Sequence, residues 1–455
     1  MGLMTVLDDH AANDRVAPDS GAPQLGRRFL TVWIGQSLSA IGSMLSGIGI
    51  SVWAFLETGS AAWLGVLIAI GAAPSVVLMP LMGWIDRLPR RRVMILGDLV
   101  SAVAASALLV LALSDRLEVW HLAFIAAISG SGAAFQAPAF QAAIPELVEP
   151  EALGRANGLN QFGPALGITL GPLLAAPLVG WWGIEAVAAA DLITFVVAVG
   201  TALAVKFGRA PIGDDADGDL DASAPDAERA DTGDWSTAVA WLRGPGRALV
   251  TLLVTMAFVN FVLSAFNVSA LALAVELGGA SGAGIPLAMG GVAMIAGSIV
   301  GGARGVPRRR IRAFALALAA FGVGSFVAAL RPSLALLTLG VVIALASVPM
   351  VNAAMATIFH EHVPGSMQGR VFAIRGALGQ SLGPVGSLSM GVFISLVAQP
   401  AMDGGWASGW LGGVIGEGAE RGPALALIVC GVALLVLAAR LATSWINAEL
   451  DGNRR

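Results

Sequence analysis

Gly83-Trp-Ile-Asp-Arg-Leu-Pro-Arg-Arg-Arg-Val93 packs four arginines and one aspartate into a short turn between two apolar runs. A second copy stands at Gly301-Gly-Ala-Arg-Gly-Val-Pro-Arg-Arg-Arg-Ile311. The Pro-Arg-Arg-Arg cores begin at Pro89 and Pro307, 218 positions apart, and Gly83 and Gly301 keep that spacing. A basic turn repeated near half the chain length predicts a duplicated membrane protein, with both turns on one side of the bilayer.

The surrounding composition agrees. The chain has 455 residues, 56% of them hydrophobic and only 12% charged, with a mean hydropathy of +0.80. A soluble domain carries about twice that charge. Apolar runs of about 20 residues follow one another, as in a multi-span helical protein. They lack the alternation that a barrel strand needs. The net charge of −4 decides nothing, because orientation follows the positions of Lys and Arg. One cysteine, Cys430, excludes an intramolecular disulfide.

Twelve spans are expected, near 29–56, 62–84, 93–113, 119–144, 157–179, 184–205, 248–271, 285–303, 313–330, 333–358, 377–397 and 423–445. With the N-terminus cytosolic, 23 of the 26 basic residues fall on inner segments, leaving Arg116, Arg331 and Arg421 outside. That bias predicts a plasma-membrane protein with both termini inside. Residues 1–28, which are polar and do not resemble a signal peptide, read as a disordered cytosolic tail, and residues 446–455 as a second tail. Residues 29–205 and 248–445 then form two six-helix bundles. The stretch 206–247, rich in Asp, Gly, Ala and Pro, reads as a solvated cytosolic linker ending in a short surface helix around Trp235 to Leu242.

Further repeats support duplication. Val148 to Arg155 matches Val363 to Arg370 at a spacing of 215. Gly167-x-x-x-Gly171-Pro172 matches Gly379-x-x-x-Gly383-Pro384 at 212. Six spans repeated in one orientation predict a pseudo-twofold axis along the membrane normal and a cavity between the halves.

This order of features resembles the major facilitator superfamily over nearly the whole chain. Gly83, Asp86, Arg87, Arg90, Arg91 and Arg92 are similar to its first signature, with Met82 where a glycine is usual and Pro89 where glycine is frequent. Ser-Leu-Ser-Ala-Ile-Gly in span 1, Glu-Thr-Gly-Ser-Ala after it, and Arg155-Ala-Asn-Gly-Leu resemble the macrolide-efflux and enterobactin-exporter branch. Span 5 is similar to the antiporter signature, with Ala175 and Ala176 replacing its last glycines. The resemblance implies that Asp86 faces the N-terminus of span 11 and that Arg90 or Arg91 reaches Glu146 just beyond span 4. Such a cluster would hold the cytosolic side shut. The span 4 arginine of many proton antiporters is absent, and Ser43 stands where relatives often have an acid.

Other residues are read from their chemistry. Gly163, Gly167 and Gly171 recur every four residues and clear one helix face. Pro164 and Pro172 let span 5 bend, and Gly379, Gly383 and Pro384 repeat the arrangement. Polar amides facing lipid are costly, so Gln36, Gln136, Gln161, Asn260, Asn267, Asn352 and Gln380 are expected to line a cavity or bridge helices. The rest of the lining is apolar, which suits a small amphipathic substrate. No buried cation is evident, which argues against an anionic one. An ionised mid-span aspartate costs roughly 2.5–3.5 kcal/mol, so Asp191 is the first candidate for proton coupling. Asp98, nearer the basic turn, is the second and is expected to pair with that turn.

No metalloprotease, P-loop or Cys–His motif is present. His360-Glu361-His362 is the nearest approach to a metal site and reads as an ordinary exposed loop pair. The expectation is a non-enzymatic, all-α secondary transporter, monomeric, without cofactor, metal or nucleic acid. It would exchange protons for amphipathic compounds across the bilayer. A lipid or lysophospholipid carrier of the same fold and a non-transporting receptor or scaffold are the alternatives.

Overall fold

The computed structural model describes residues 25–81, 88–207 and 235–443. The tails 1–24 and 444–455 and the linker segment 208–234 lie outside the described residues.

The chain is a succession of long apolar helices. Bilayer hydrocarbon offers backbone N–H and C=O groups no partners, so each crossing must satisfy its own. The first half comprises α1 (Arg27–Thr58), α2 (Ala61–Val77), α3 (Arg90–Leu113), α4 (Val119–Leu147) and α5 (Leu153–Ala204). A short amphipathic helix, α6 (Trp235–Arg243), precedes the second half. That half comprises α7 (Arg247–Gly282), α8 (Gly284–Arg304), α9 (Arg310–Ala329), α10 (Leu334–His362) and α11 (Gln368–Phe393). α11 runs on through a π-helical turn, Ile394–Ala398. A surface helix, α12 (Ser408–Ile415), and the final α13 (Gly422–Thr443) follow.

Ten of these helices are long and apolar enough to cross a membrane. α2 is shorter at 17 residues, and α5 holds two crossings. Gly183 divides α5 with φ 77° and ψ −178°, a backbone that a side chain would strain. Twelve legs result, in two six-helix bundles. Many large apolar side chains, among them Val103, Val110, Leu113, Val196 and Leu316, point outward and are exposed. That surface suits lipid rather than water.

Within the first bundle, α1 runs along α5 and α3 lies beside α4 and α5. Gly35, Gly42 and Gly49, seven residues apart on α1, admit Thr201, Thr194 and Val187 of α5. Between the bundles, α2 meets α11 and α5 meets α8. Counting legs, these are the second with the eleventh and the fifth with the eighth. The twofold repeat exchanges one pair for the other.

Three of the boundaries that differ from the sequence expectation relocate charged residues. α4 continues through Pro145 to Leu147, so Glu146 lies on the helix itself. α10 continues to His362, so His360-Glu-His362 forms its last turn rather than a loop. α11 begins at Gln368, which places Arg375 inside a helix expected to start after it. Its guanidinium stacks 5.7 Å from the Phe359 ring and 5.8 Å from the Phe372 ring, contacts that offset the charge's lost hydration.

Candidate transport pathway

At the basic end, Gly83, Asp86 and Arg87 lie outside the described residues. Arg90 begins α3, and its Nη1 stands 3.3 Å from Glu146 Oε1 on α4. Arg90 also donates to the Ala142 carbonyl. Arg91 donates to the carbonyls of Ala202 (2.8 Å) and Leu203 (2.7 Å), capping the C-terminal end of α5 where the helix dipole is negative. Arg92 heads the same turn of α3. The Arg90–Glu146 pair therefore joins two helices of one bundle and braces that bundle. This is the Arg90-to-Glu146 contact that the resemblance implied; the other contact of the expected gate, Asp86 with span 11, involves a residue outside those described.

The second bundle repeats the brace. Arg310 Nη2 stands 3.2 Å from Glu361 Oε1, joining α9 to α10. Sequence reasoning missed this pair because it set Glu361 aside with the flanking histidines. Glu146 and Glu361 are 215 positions apart, the spacing of the repeat that follows them. No group of three metal-ligating side chains occurs among the described residues.

The glycine stripe of α5 is filled from inside its own bundle. A Cβ at Gly163 would lie 2.7 Å from Ser37 Oγ, and one at Gly171 would lie 2.7 Å from Met44 Cβ. Gly167 faces Ala40 and Met44. In α11, Gly383 faces Ser264 of α7, and Gly379 lies beside Asn260. Pro172 serves the inter-bundle seam, since a Cβ on Gly284 of α8 would lie 2.3 Å from its carbonyl oxygen. Pro384 directly follows Gly383 within α11.

That seam closes the end remote from the arginines. Gly291 fits against Thr169 and Ile168 of α5. On the other side, Gly65 of α2 and Gly391 of α11 touch backbone to backbone, a Cβ on either falling 3.0 Å from the other's Cα. Ser395, carried on the π turn, accepts from the Ala62 backbone N–H at 3.0 Å and lies 3.4 Å from Ser60 Oγ. α2 thus has one of its N-terminal donors capped from the opposite bundle. Toward the basic end, the glycines of the same helices meet nothing within 4 Å: Gly154 and Gly158 on α5, Gly301 and Gly302 on α8, Gly369 and Gly376 on α11. Among the described residues, close inter-bundle glycine packing is concentrated at the far end.

The polar residues divide between the bundles. Gln36 and Ser37 of α1, Gln136 and Gln141 of α4 and Asn160 of α5 surround a pocket of about 90 Å³ with Phe140 and Pro164. The side chain of Gln161 is not described. Asn260 donates to Met256 O at 3.0 Å. Asn267, Asn352 and Gln380 are exposed, and none of them lines this pocket.

Asp98 is 1% exposed. It accepts from Gln36 Nε2 at 2.9 Å and, at the limit of bonding distance, from Ser39 Oγ at 3.5 Å. It points at α1 instead of the basic turn, where Arg90 and Arg91 already have carbonyl and carboxylate partners. Asp191 is 2% exposed and packs against Gly42. Its Oδ1 and the nearby Ser46 Oγ have no hydrogen-bond partner.

One further expectation is overturned. A buried cation exists: Arg421, 2% exposed. It donates to Ala329 O at 3.1 Å and to Ile415 O, stapling the ends of α9 and α12. Two helix C-termini supply partial negative charge there. This site lies at the end remote from the basic segments, away from the amide-lined pocket.

The model of the Major Facilitator Superfamily matches residues 32–387. Macrolide efflux protein A of Streptococcus pyogenes is 27% identical over 373 residues, covering 80% of this chain and 89% of that protein. Macrolide efflux protein A of Enterococcus faecalis is 28% identical over 324 residues, 70% of this chain and 96% of that one. The multidrug efflux pump Tap of Mycolicibacterium fortuitum is 35% identical over 118 residues, 25% and 28% of the two chains. Among solved structures, a bacterial homologue of the human lysosomal transporter Spinster, inward-facing and unoccupied, superposes with a TM-score of 0.69. It shares 15% identity over 94% of this chain and 99% of that one. An inward-facing bacterial homologue of the iron transporter ferroportin gives 0.62 at 16% identity, over 92% and 100%. At such identities these structures attest the fold.

Proposed function

We propose a function from one premise: the chain belongs to the Major Facilitator Superfamily. It is a secondary exporter of small amphipathic compounds, macrolides among them, working by alternating access. The observation that carries this reading is the amide-lined pocket of the first bundle, combined with close glycine packing between the bundles that, among the described residues, lies at the end remote from the arginines. Similarity to macrolide efflux proteins over most of the chain supports the direction and the substrate class.

The basic end is the cytosolic one by the positive-inside rule, so substrate enters from the cytosol or inner leaflet. Residues 29–205 and 248–445 rock as two bodies. The braces Arg90–Glu146 and Arg310–Glu361 keep each body rigid, and Asp86 serves the basic-end gate. The glycine stripes of α5 and α11 let these helices lie close to α1 and α7 as they tilt. Protons are the coupling ion, taken up at Asp98 and Asp191. A carboxylate neutralised within a span is cheaper to carry across the hydrocarbon than an ionised one.

The test is accumulation of a labelled macrolide in cells expressing the protein, with and without a protonophore. Lower accumulation that the protonophore abolishes supports the reading. Accumulation unchanged across macrolides and cationic dyes counts against it.

A further inference from the structure

Gln36 stands between the pocket and Asp98. Its Nε2 donates to Asp98, and its Oε1 is buried without a partner. Ser37 Oγ, on the same pocket wall, is also buried and unpartnered. The two side chains are only 4% and 7% exposed. Buried polar atoms are nearly always bonded, so two adjacent exceptions on a pocket wall mark a place for a ligand.

The direction of the Gln36 amide is set chemically. An ionised carboxylate only accepts, so it holds the NH₂ of Gln36 and leaves Oε1 turned away. A protonated Asp98 carries an O–H that donates. The amide can then reverse, giving Oε1 to Asp98 and presenting NH₂ to the pocket. The step moves one proton from bulk water to Asp98 and breaks no covalent bond.

We propose that Gln36 is an amide switch through which Asp98 controls the pocket: it offers an acceptor to a protonated amine while Asp98 is ionised, and a donor that releases the amine once Asp98 is protonated. This rests on the exporter reading and deepens it, naming the substrate class as amphipathic ammonium compounds and Gln36 as the positioning residue. The charged groups of the surrounding helices are otherwise placed. On α4, Glu146 pairs with Arg90, and His121 closes the capping box of the first turn. On α5, Arg155 and Glu185 stand near the starts of the two legs, and Asp191 faces Gly42, three residues along α1 from Ser39. On α1, Arg27, Arg28 and Glu57 stand at the ends. On α3 itself, Arg91 caps α5 and Arg92 lies in the first turn.

The experiment is equilibrium binding of dansylcadaverine to the purified full-length protein in detergent. This primary amine stays charged, as a lysine does, below about pH 9. Wild type is expected to bind about tenfold more tightly near pH 8 than near pH 5, one decade in Kd. Asp98→Asn should abolish that pH dependence. Gln36→Met should bind weakly at both pH values while keeping the infrared carboxylic-acid band that Asp98→Asn loses. Should Asp98→Asn not fold, as judged by its melting curve, Gln36→Met decides alone. A pH dependence that survives Asp98→Asn, or undiminished affinity in Gln36→Met, overturns the switch. Either result with intact efflux in cells leaves the exporter reading standing; absent efflux sinks that reading whatever the binding curve shows.

Discussion

Individual side chains separate into braces and staples. Arg90 is 41% exposed, so its ion pair with Glu146 is screened by water and contributes at most about 1 kcal/mol. Arg90→Ala should therefore lower thermal stability only slightly, as read from a melting curve in detergent. Arg421 is different, since its removal leaves the Ala329 and Ile415 carbonyls bare in a buried site. Each bare carbonyl costs roughly 1–3 kcal/mol, so Arg421→Ala should sharply reduce the folded yield in size-exclusion chromatography. The sequence could not reveal this role. It places Arg421 merely on the side with few positive charges, and its partners lie in segments six and 92 residues away. Asp98 was similarly illegible: proximity along the chain suggested the arginines, whereas its partner Gln36 is 62 residues distant.

At the level of helices, glycine decides where two backbones touch. The chain has 58 glycines, too many for the sequence to say which ones form seams. The stripe at Gly163, Gly167 and Gly171 was legible as a cleared face, and its occupant, α1, was not. Gly391→Leu would drive a side chain into α2 at the far end, because even a Cβ there lies 2.6 Å from Ala61 O. The variant should insert normally but fail to close that end. The checks are loss of macrolide efflux and faster labelling of a Ser60→Cys reporter by an impermeant maleimide. The π turn is a second feature of this kind: one extra residue in the turn re-aims Ser395 at the start of α2. No periodicity in the sequence marks it.

Taken as a molecule, the protein was most legible where physics acts over long stretches. Apolar runs, the repeated Pro-Arg-Arg-Arg turn and the distribution of arginines announced twelve helices in two bundles. The seams, braces and buried carboxylates depend on side chains brought together by packing of helices distant in sequence, which a linear reading cannot align residue by residue. The proposed mechanism of export requires the far-end seam between α2 and α11 to open and close. Its most direct test is the double variant Ser60→Cys/Ser395→Cys, whose hydroxyls are 3.4 Å apart in the parent and whose thiols can therefore approach bonding distance. The chain's own Cys430 is buried and remote in sequence from both. In membrane vesicles, oxidation of the double variant should stop macrolide transport, and a reductant should restore it. Transport continuing at the parental rate in fully cross-linked protein would show that this seam need not open.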